Sequence, residues 1–389
     1  MSEPAPTLAV IGGGQLARMM AQPAIAMALP LRLLAEAEGV SAAQVIPDHL
    51  VGDYRDLATL RKVTDGCRVV TFDHEHVPTE HLHALEDEGI AVRPGPDALV
   101  HAQDKGVMRA RLAELGVPCP RNALVTSVEE IEAFGLPCVL KTTRGGYDGK
   151  GVWFVGSTAE CEAPLAAAAD AGVRLLAEEL VDFRRELSAL VARSPSGQAA
   201  AYPVVESTQR DGVCVEVVAP APGLAPALAA HAQEIALRIA GALDVTGILA
   251  VELFETSDGR VLVNELAMRP HNTGHWTQDG AVTSQFENHL RAVLDLPLGS
   301  PAPRVRWTVM VNILGGAAED GAEVGRLYDG YPHALARDPF LRVHLYGKDL
   351  RPGRKVGHVN AYGDDLEDCL ERARHAAAWF RGDLGDESE

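Results

Sequence analysis

The stretch 246-TGILAVELFETSDGRVLVNELAMRP-270 sets two apolar runs on either side of Asp258-Gly259, the strongest short-range signal for a β-hairpin. With Asp258 and Gly259 as the central turn residues, ladder partners have numbers that sum to 517, so Glu252 stands opposite Glu265 on one face. Like charges in that position cost stability unless something sits between them. A divalent cation resolves the conflict, because Mg²⁺ takes one or two carboxylates together with substrate phosphate oxygens. The plainer reading gives one glutamate to solvent or to an arginine. Strict alternation sends Asn264 to the opposite face, so it joins such a site only if the strand bends.

Ahead of the hairpin, residues 8–101 alternate strand and helix: 8-LAVIGGG-14, 31-LRLLAE-36 and 67-CRVVTFD-73, with helical stretches between and after them. This predicts a doubly wound parallel α/β unit. The helical 104-DKGVMRARLAELG-116 opens a second unit, richer in β-strands, with hairpin signals at 194–197 and 257–260 and two long helices, 223–243 and 283–294. A Pro/Gly boundary at 295–303 precedes a third unit of short strands and a final helix. The expected organisation is therefore 1–101, 102–298 and 299–389, within an α/β (α+β) fold.

Four further constellations carry chemistry. The loop 141-KTTRGGYDGKG-151 follows an apolar run and can lay backbone N–H groups against phosphate, yet Lys150 is followed by Gly151, so it is no Walker A loop. The turn 12-GGGQLA-17 satisfies the dinucleotide pattern after a strand, with Glu36 near the end of the next, but a lone match of this kind is weak; a glycine-permitted turn whose helix N-terminus could hold any phosphate is the favoured reading. In 347-GKDLRPGRKVGH-358, glycines and a proline aim Lys348, Arg351, Arg354 and Lys355, a candidate anion site. His271 and His275 have the spacing of a helical zinc pair, but Pro270, Asn272 and Gly274 make 269-RPHNTGHW-276 a polar substrate-facing loop instead.

A net charge of −19 over 389 residues argues against nucleic acid or an anionic membrane as partner. Six cysteines without a C-x-x-C pair suit a reducing cytosol, and the N-terminus has no signal-peptide pattern, so a cytoplasmic location is expected.

A glycine loop between strands, a lysine ahead of it and a later carboxylate hairpin together describe ATP held between β-layers. Through IGGGQLARMM, TFDHEHVP, KTTRGGYDGKG, EELVDFRRELS, NELAMRPHNTGHW and HLYGKDLRPGRKVGH, in that order over most of the chain, the sequence resembles the N5-carboxyaminoimidazole ribonucleotide synthetases, an ATP-grasp family of purine biosynthesis. The resemblance implies a pre-ATP-grasp domain, an ATP-grasp domain, a small β-rich C-terminal domain and a homodimer. It also implies the reaction: ATP and bicarbonate carboxylate the exocyclic amine of 5-aminoimidazole ribonucleotide through carboxyphosphate, releasing ADP and phosphate.

Carried over by motif, Lys105 and Lys141 contact ATP phosphates, and Gly146, Tyr147, Asp148, Gly149, Lys150, Gly151 and Val152 close over the nucleotide. Glu178, Glu179, Leu180 and Val181 resemble the adenine hinge, and Glu186 the residue that holds the ribose. Glu252 and Glu265 bind Mg²⁺, with Asn264 beside them. Gln15, Leu16, Glu75 and Asn272 line the ribonucleotide side. Tyr147 and Asp148 meet the amine, Arg269 steadies carboxyphosphate, and Lys348, Arg354 and Lys355 take the substrate phosphate.

Three positions depart from the family pattern. Gln209 replaces a histidine near the nucleotide, Lys105 an arginine, and Asp73 a glutamate. The rival readings are another ATP-grasp ligase, such as a formate-dependent purine transformylase, a nicotinamide oxidoreductase built on GGGQLA, and a non-catalytic nucleotide-binding regulator.

Overall fold

The computed structural model describes residues 5–146, 149–315 and 327–384; Tyr147 and Asp148 lie outside them. The N-terminal strands Leu8–Ile11, Leu31–Ala35 and Val69–Phe72 are almost wholly apolar and buried. They pair in parallel with His49–Val51 and Ala91–Val92 at the edges. Such strands need helices on both faces, which Gln15–Ala26, Leu57–Thr64 and Thr79–Asp87 supply.

The turn between Leu8–Ile11 and helix Gln15–Ala26 decides one reading. The Asp73 carboxylate accepts from the amides of Gly14 (3.2 Å) and Ala17 (2.8 Å), and Glu36 accepts from Gly13 (3.0 Å). Protein carboxylates therefore hold the place where a dinucleotide pyrophosphate would sit. The glycines are there for that approach: a Cβ on Gly14 would stand 2.1 Å from Asp73 Oδ2. Burial raises the Asp73 carboxyl above its ordinary range, against the pull of the Ala17 amide.

A four-stranded antiparallel sheet follows, ordered Asn122–Val125, Leu175–Glu179, Cys138–Thr142, Val152–Val155. The glycine loop joins its last two strands. The largest sheet has nine strands among the described residues. It runs from Val261–Ala267 through Gly247–Thr256, Phe183–Arg193, Val205–Arg210 and Val213–Ala219.

That sheet does not stop at the Pro/Gly stretch. Trp307–Leu314 pairs with Val213–Ala219, and Lys355–Gly363 and Arg342–Leu345 continue outward. Arg374, on the C-terminal helix Leu366–Arg381, clasps Glu216 with two bonds of 2.6 and 2.9 Å. On the other flank, buried His289 joins Thr71 of the parallel sheet (2.7 Å) to the Ile248 amide (3.1 Å). Among the described residues no helix is long and apolar enough to cross a membrane.

Gly14 has ordinary backbone angles, φ −80°, so alanine there is penalised only by the collision with Asp73. Gly14→Ala should cost on the order of 2 kcal/mol through lost capping and forced repacking, seen as a lower melting temperature. An unchanged melting curve would show that the carboxylate moves aside freely.

Candidate active site

The hairpin keeps the expected pairing by a different route. Thr256 closes the turn with Gly259 (2.9 Å) and pairs with Arg260, leaving Ser257, Asp258 and Gly259 as the loop, with Gly259 at φ +84°. Asp258 and Gly259 are thus not the two central residues, and Leu253 pairs with Val263. Three-residue hairpins built on a glycine in the left-handed region have this form. A β-bulge between Glu252 and Leu253 then restores the register, so Glu252 does face Glu265. Asn264 is the extra residue, and the bulge turns its side chain to the carboxylate face, where Lys141 Nζ donates to its Oδ1 at 3.0 Å.

The bulge leaves two carbonyls outside the ladder, and buried Arg109 takes both: Val263 O at 2.9 Å and Asn264 O at 2.7 Å. Its Nε donates to Glu178 at 2.6 Å, and Lys141 reaches the other oxygen of Glu178 at 2.7 Å. Burial alone would raise the Glu178 carboxyl; the charges of Arg109 and Lys141 overcome it and hold it below the ordinary range. Lys105, the first residue of helix Lys105–Glu114, is ion-paired with Glu265.

Burial, then the facing Glu265 and the nearby Glu186, push Glu252 up to about 7. Burial likewise lifts Glu186 to about 7, with Lys141 opposing. His271 Nε2 lies 3.3 Å from Glu252, and its imidazole is held neutral, first by burial and then by Arg269 and Lys355. These crowded hard oxygen donors, with Lys105 the cation now set against Glu265, fit a divalent cation that would take its place.

A cavity of about 1140 Å³ runs between the two antiparallel sheets to the N-terminal domain. Its side between the two sheets is lined by Lys105, Lys141, Gly146, Gly149, Lys150, Val152, Glu178, Glu179, Leu180, Val181, Glu186, Gln209, Asn264 and Glu265. Its far side is lined by Gln15, Leu16, Glu75, Arg269, Asn272 and Lys355, with Glu252 between. Arg269 is paired with Glu75 at 2.7 Å.

Family models match the chain over its length: a ribonucleotide synthetase preATP-grasp domain at 5–103, an ATP-grasp domain at 110–286, and a phosphoribosylaminoimidazole carboxylase C-terminal domain at 308–372. The N5-carboxyaminoimidazole ribonucleotide synthase of Mycobacterium tuberculosis is 56% identical over 97% of this chain and 88% of its own. The chain belongs to the N5-carboxyaminoimidazole ribonucleotide synthase family. It is an ATP-grasp ligase. The synthetase from Thermus thermophilus is 38% identical, with a TM-score of 0.84 over 98% of this chain and 100% of that one. The Aspergillus clavatus enzyme, solved with ADP and 5-aminoimidazole ribonucleotide, is 30% identical with a TM-score of 0.87 over 97% and 98%.

In this family member the basic segment 347–358 is divided. Lys355 faces the cavity. Lys348 bonds Gln15 at its edge. Arg354 instead donates to the Asp349 carbonyl at 3.2 Å and does not line the cavity, and the Arg351 main chain packs against Gly315. His358 and His275 are fully buried. The 269–276 segment is therefore only partly the substrate-facing loop expected from its sequence: Arg269, His271 and Asn272 line the cavity, and a short 3-10 turn at Asn272–Gly274 carries His275 into the core. Gly151 backs the loop at φ +71°, where a Cβ would meet Thr142 Oγ1 at 2.5 Å.

Sequence reasoning missed Arg109 and Arg144. Arg109 sits inside an amphipathic helix where it looks like a solvated charge. Arg144 was legible within the loop, and it braces Asp104, the N-cap of helix Lys105–Glu114, at 2.9 Å.

Two outcomes follow from these charges. Arg109→Met should cost about 3–5 kcal/mol, because it abandons a buried carboxylate and two carbonyls; equilibrium denaturation measures it. For Glu186 the folded pKa lies above the unfolded one, so folding binds a proton between about 4.3 and 7 and stability falls as pH rises through that window. In metal-free, nucleotide-free protein, Glu186→Gln should therefore be stabilising above pH 7 by ~1 kcal/mol after solvent screening, and neutral below pH 4. Equal melting shifts at both ends would remove the charge as the cause.

Proposed function

We propose that this chain carboxylates the exocyclic amine of 5-aminoimidazole ribonucleotide, using ATP and bicarbonate, and yields N5-carboxyaminoimidazole ribonucleotide, ADP and phosphate. The observation that carries the reading is one continuous cavity, with the carboxylate hairpin and glycine loop at one end and Glu75, Arg269 and Lys355 at the other. Relatives across the whole chain length bear the synthase name, and one was solved with both ADP and the ribonucleotide.

The residues have separable tasks. Glu178 to Val181 offer backbone and side-chain partners to adenine, and Glu186 to the ribose. Lys141 and Lys105 meet the phosphates. Glu252 and Glu265, with Asn264, would hold Mg²⁺, which neutralises phosphate charge on bound ATP. Bicarbonate attacks the γ-phosphorus, giving carboxyphosphate. Arg269 can donate two parallel bonds to that dianion. Tyr147 and Asp148 are assigned to the amine, and Gln15, Leu16, Glu75, Asn272 and Lys355 to the ribonucleotide, with Lys348 from the neighbouring loop; Arg354 would have to leave the Asp349 carbonyl to join them. Carboxyphosphate is short-lived in water, so closure of the loop from Gly146 to Val152 protects it. Catalysis then rests on positioning and fixed charge. A homodimer in the cytoplasm completes the proposal.

ADP release, measured with ATP, bicarbonate and ribonucleotide and omitting each in turn, tests the reaction. Full release without the ribonucleotide, or formate replacing bicarbonate, would overturn it. Glu265→Gln should bind ribonucleotide normally yet lower turnover at least about a hundredfold, roughly 2.7 kcal/mol in the barrier. Near-normal ADP release at saturating Mg²⁺ would sink the metal assignment.

A further inference from the structure

Among the described residues, buried side-chain polar atoms without a hydrogen-bond partner, His74 Nε2 apart, gather in one layer behind the cavity: both ends of the Asn272 amide, His275 Nε2, Gln278 Oε1, Asn312 Oδ1, His358 Nε2 and Asn360 Oδ1. Buried polar groups are otherwise satisfied almost without exception, so such a concentration needs an occupant.

The layer is continuous. Asn272 and Cys214 stand in the cavity wall. Asn312 donates to the Cys214 carbonyl at 2.8 Å and faces His358 across the ladder. The His358 ring lies 4.9 Å from that of His275 and 4.5 Å from that of His344. Asn360 donates to Asp279 at 2.7 Å and to the His275 carbonyl at 3.3 Å. His344 bonds Asp279 at 2.8 Å and approaches Gln278 at 3.5 Å, and Gln278 meets Gln22 at 3.0 Å on the exposed side.

The unpartnered atoms are of both kinds. Gln285 Oε1 accepts from the His271 amide, so its Nε2 donates to His275 Nδ1, which leaves the hydrogen of His275 on Nε2. The Asn312 and Asn360 amides already donate elsewhere, so their oxygens face the layer as acceptors. Burial holds His275 and His358 well below the ordinary imidazole range, so both are neutral. The unpartnered atoms are mixed donors and acceptors with no charge of their own, and the carboxylate beside them, Asp279, is already bonded by His344 and Asn360; they suit water, which donates and accepts at once.

We propose that ordered water fills this layer from Asn272 to Gln278 and carries protons out of the closed site. The proton role rests on the proposed reaction. Bicarbonate brings one O–H proton, and the amine loses one N–H proton as the nitrogen–carbon bond forms and the carboxyl oxygen takes the electron pair. Phosphate can hold both protons as H₂PO₄⁻ until the loop opens; leaving as HPO₄²⁻ it keeps one, and the layer gives the other a path to solvent while the loop is closed.

A crystal structure of the nucleotide-bound protein at about 1.8 Å should show about two or more waters, each touching two of the named atoms. A dry layer overturns the proposal, and this arm does not depend on activity. Gln278→Leu at the outer mouth and His358→Phe within should lower kcat at least about tenfold with both KM values unchanged. The solvent deuterium isotope effect should rise, and His358→Gln should restore most of the rate. Wild-type kcat in Gln278→Leu, or a loss without an isotope change and without rescue by His358→Gln, removes the proton role. If His358→Phe does not fold, Gln278→Leu decides alone. Absence of any ribonucleotide-dependent ADP release in the wild type would instead defeat the proposed reaction and leave the water layer standing.

Discussion

Arg109 is the constraint on which the site depends. Its guanidinium, 2% exposed, binds three things that belong to different elements: Glu178 on the four-stranded sheet, and the carbonyls of Val263 and Asn264 on the hairpin of the nine-stranded sheet. An arginine fork suits this, because its donors are planar and fixed. The bulge that frees those carbonyls is the same one that delivers Asn264 to the carboxylate face. One buried cation therefore holds together the sheet that covers the nucleotide and the hairpin proposed to hold its metal. Removing Glu178 leaves the Arg109 charge buried without its carboxylate, and removing Arg109 leaves Glu178 with Lys141 alone.

A protein of charge −19 that handles phosphates has to concentrate positive charge locally. Here that charge is already committed to carboxylates: Lys141 to Glu178, Lys105 to Glu265 and Arg269 to Glu75. The pairing follows from burial, since an isolated ammonium or guanidinium in such a cavity is costly. It also means that anionic ligands enter by exchange of partners rather than by filling an open positive field. Lys105, with three donors on a flexible stem, can leave Glu265 more readily than an arginine fork could. In this chain the lysine expected from the resemblance to replace an arginine is thus the group paired with a proposed metal ligand.

Much of this was legible in the sequence, and for physical reasons. The parallel unit declared itself through short apolar runs separated by helices, because buried strands cannot alternate. The Glu252–Glu265 pairing was predicted from a two-residue turn, which is wrong at the turn and right at the site: a three-residue loop shifts the register by one and the Asn264 bulge shifts it back. Spacing alone cannot reveal two compensating irregularities. The GGGQLA turn shows the opposite limit. Its pattern fits a dinucleotide, but a carboxylate 59 residues away, Asp73, occupies the helix N-terminus. Arg109 was invisible because a charge on a helix is usually solvated, and only its burial between two sheets makes it structural.

The continuous sheet explains how distant residues can act together. From Val261–Ala267 at one edge to Lys355–Gly363 near the other, neighbouring strands are hydrogen-bonded without a break. Glu186, Glu252 and Glu265 project from one part of this surface and Lys355 from another, so their separation is fixed by the ladder rather than by loops. Two connections between strands, the glycine loop and the segment 346–354, lie toward the two ends of the cavity. The second of these is pinned where it begins: the Tyr346 carbonyl accepts from Ser41 at 2.6 Å, and its hydroxyl meets His358 at 2.7 Å. A continuous sheet floor with one anchored connection can hold the two proposed substrates in register before either is committed, and positioning of that kind can supply several kcal/mol of a bimolecular barrier.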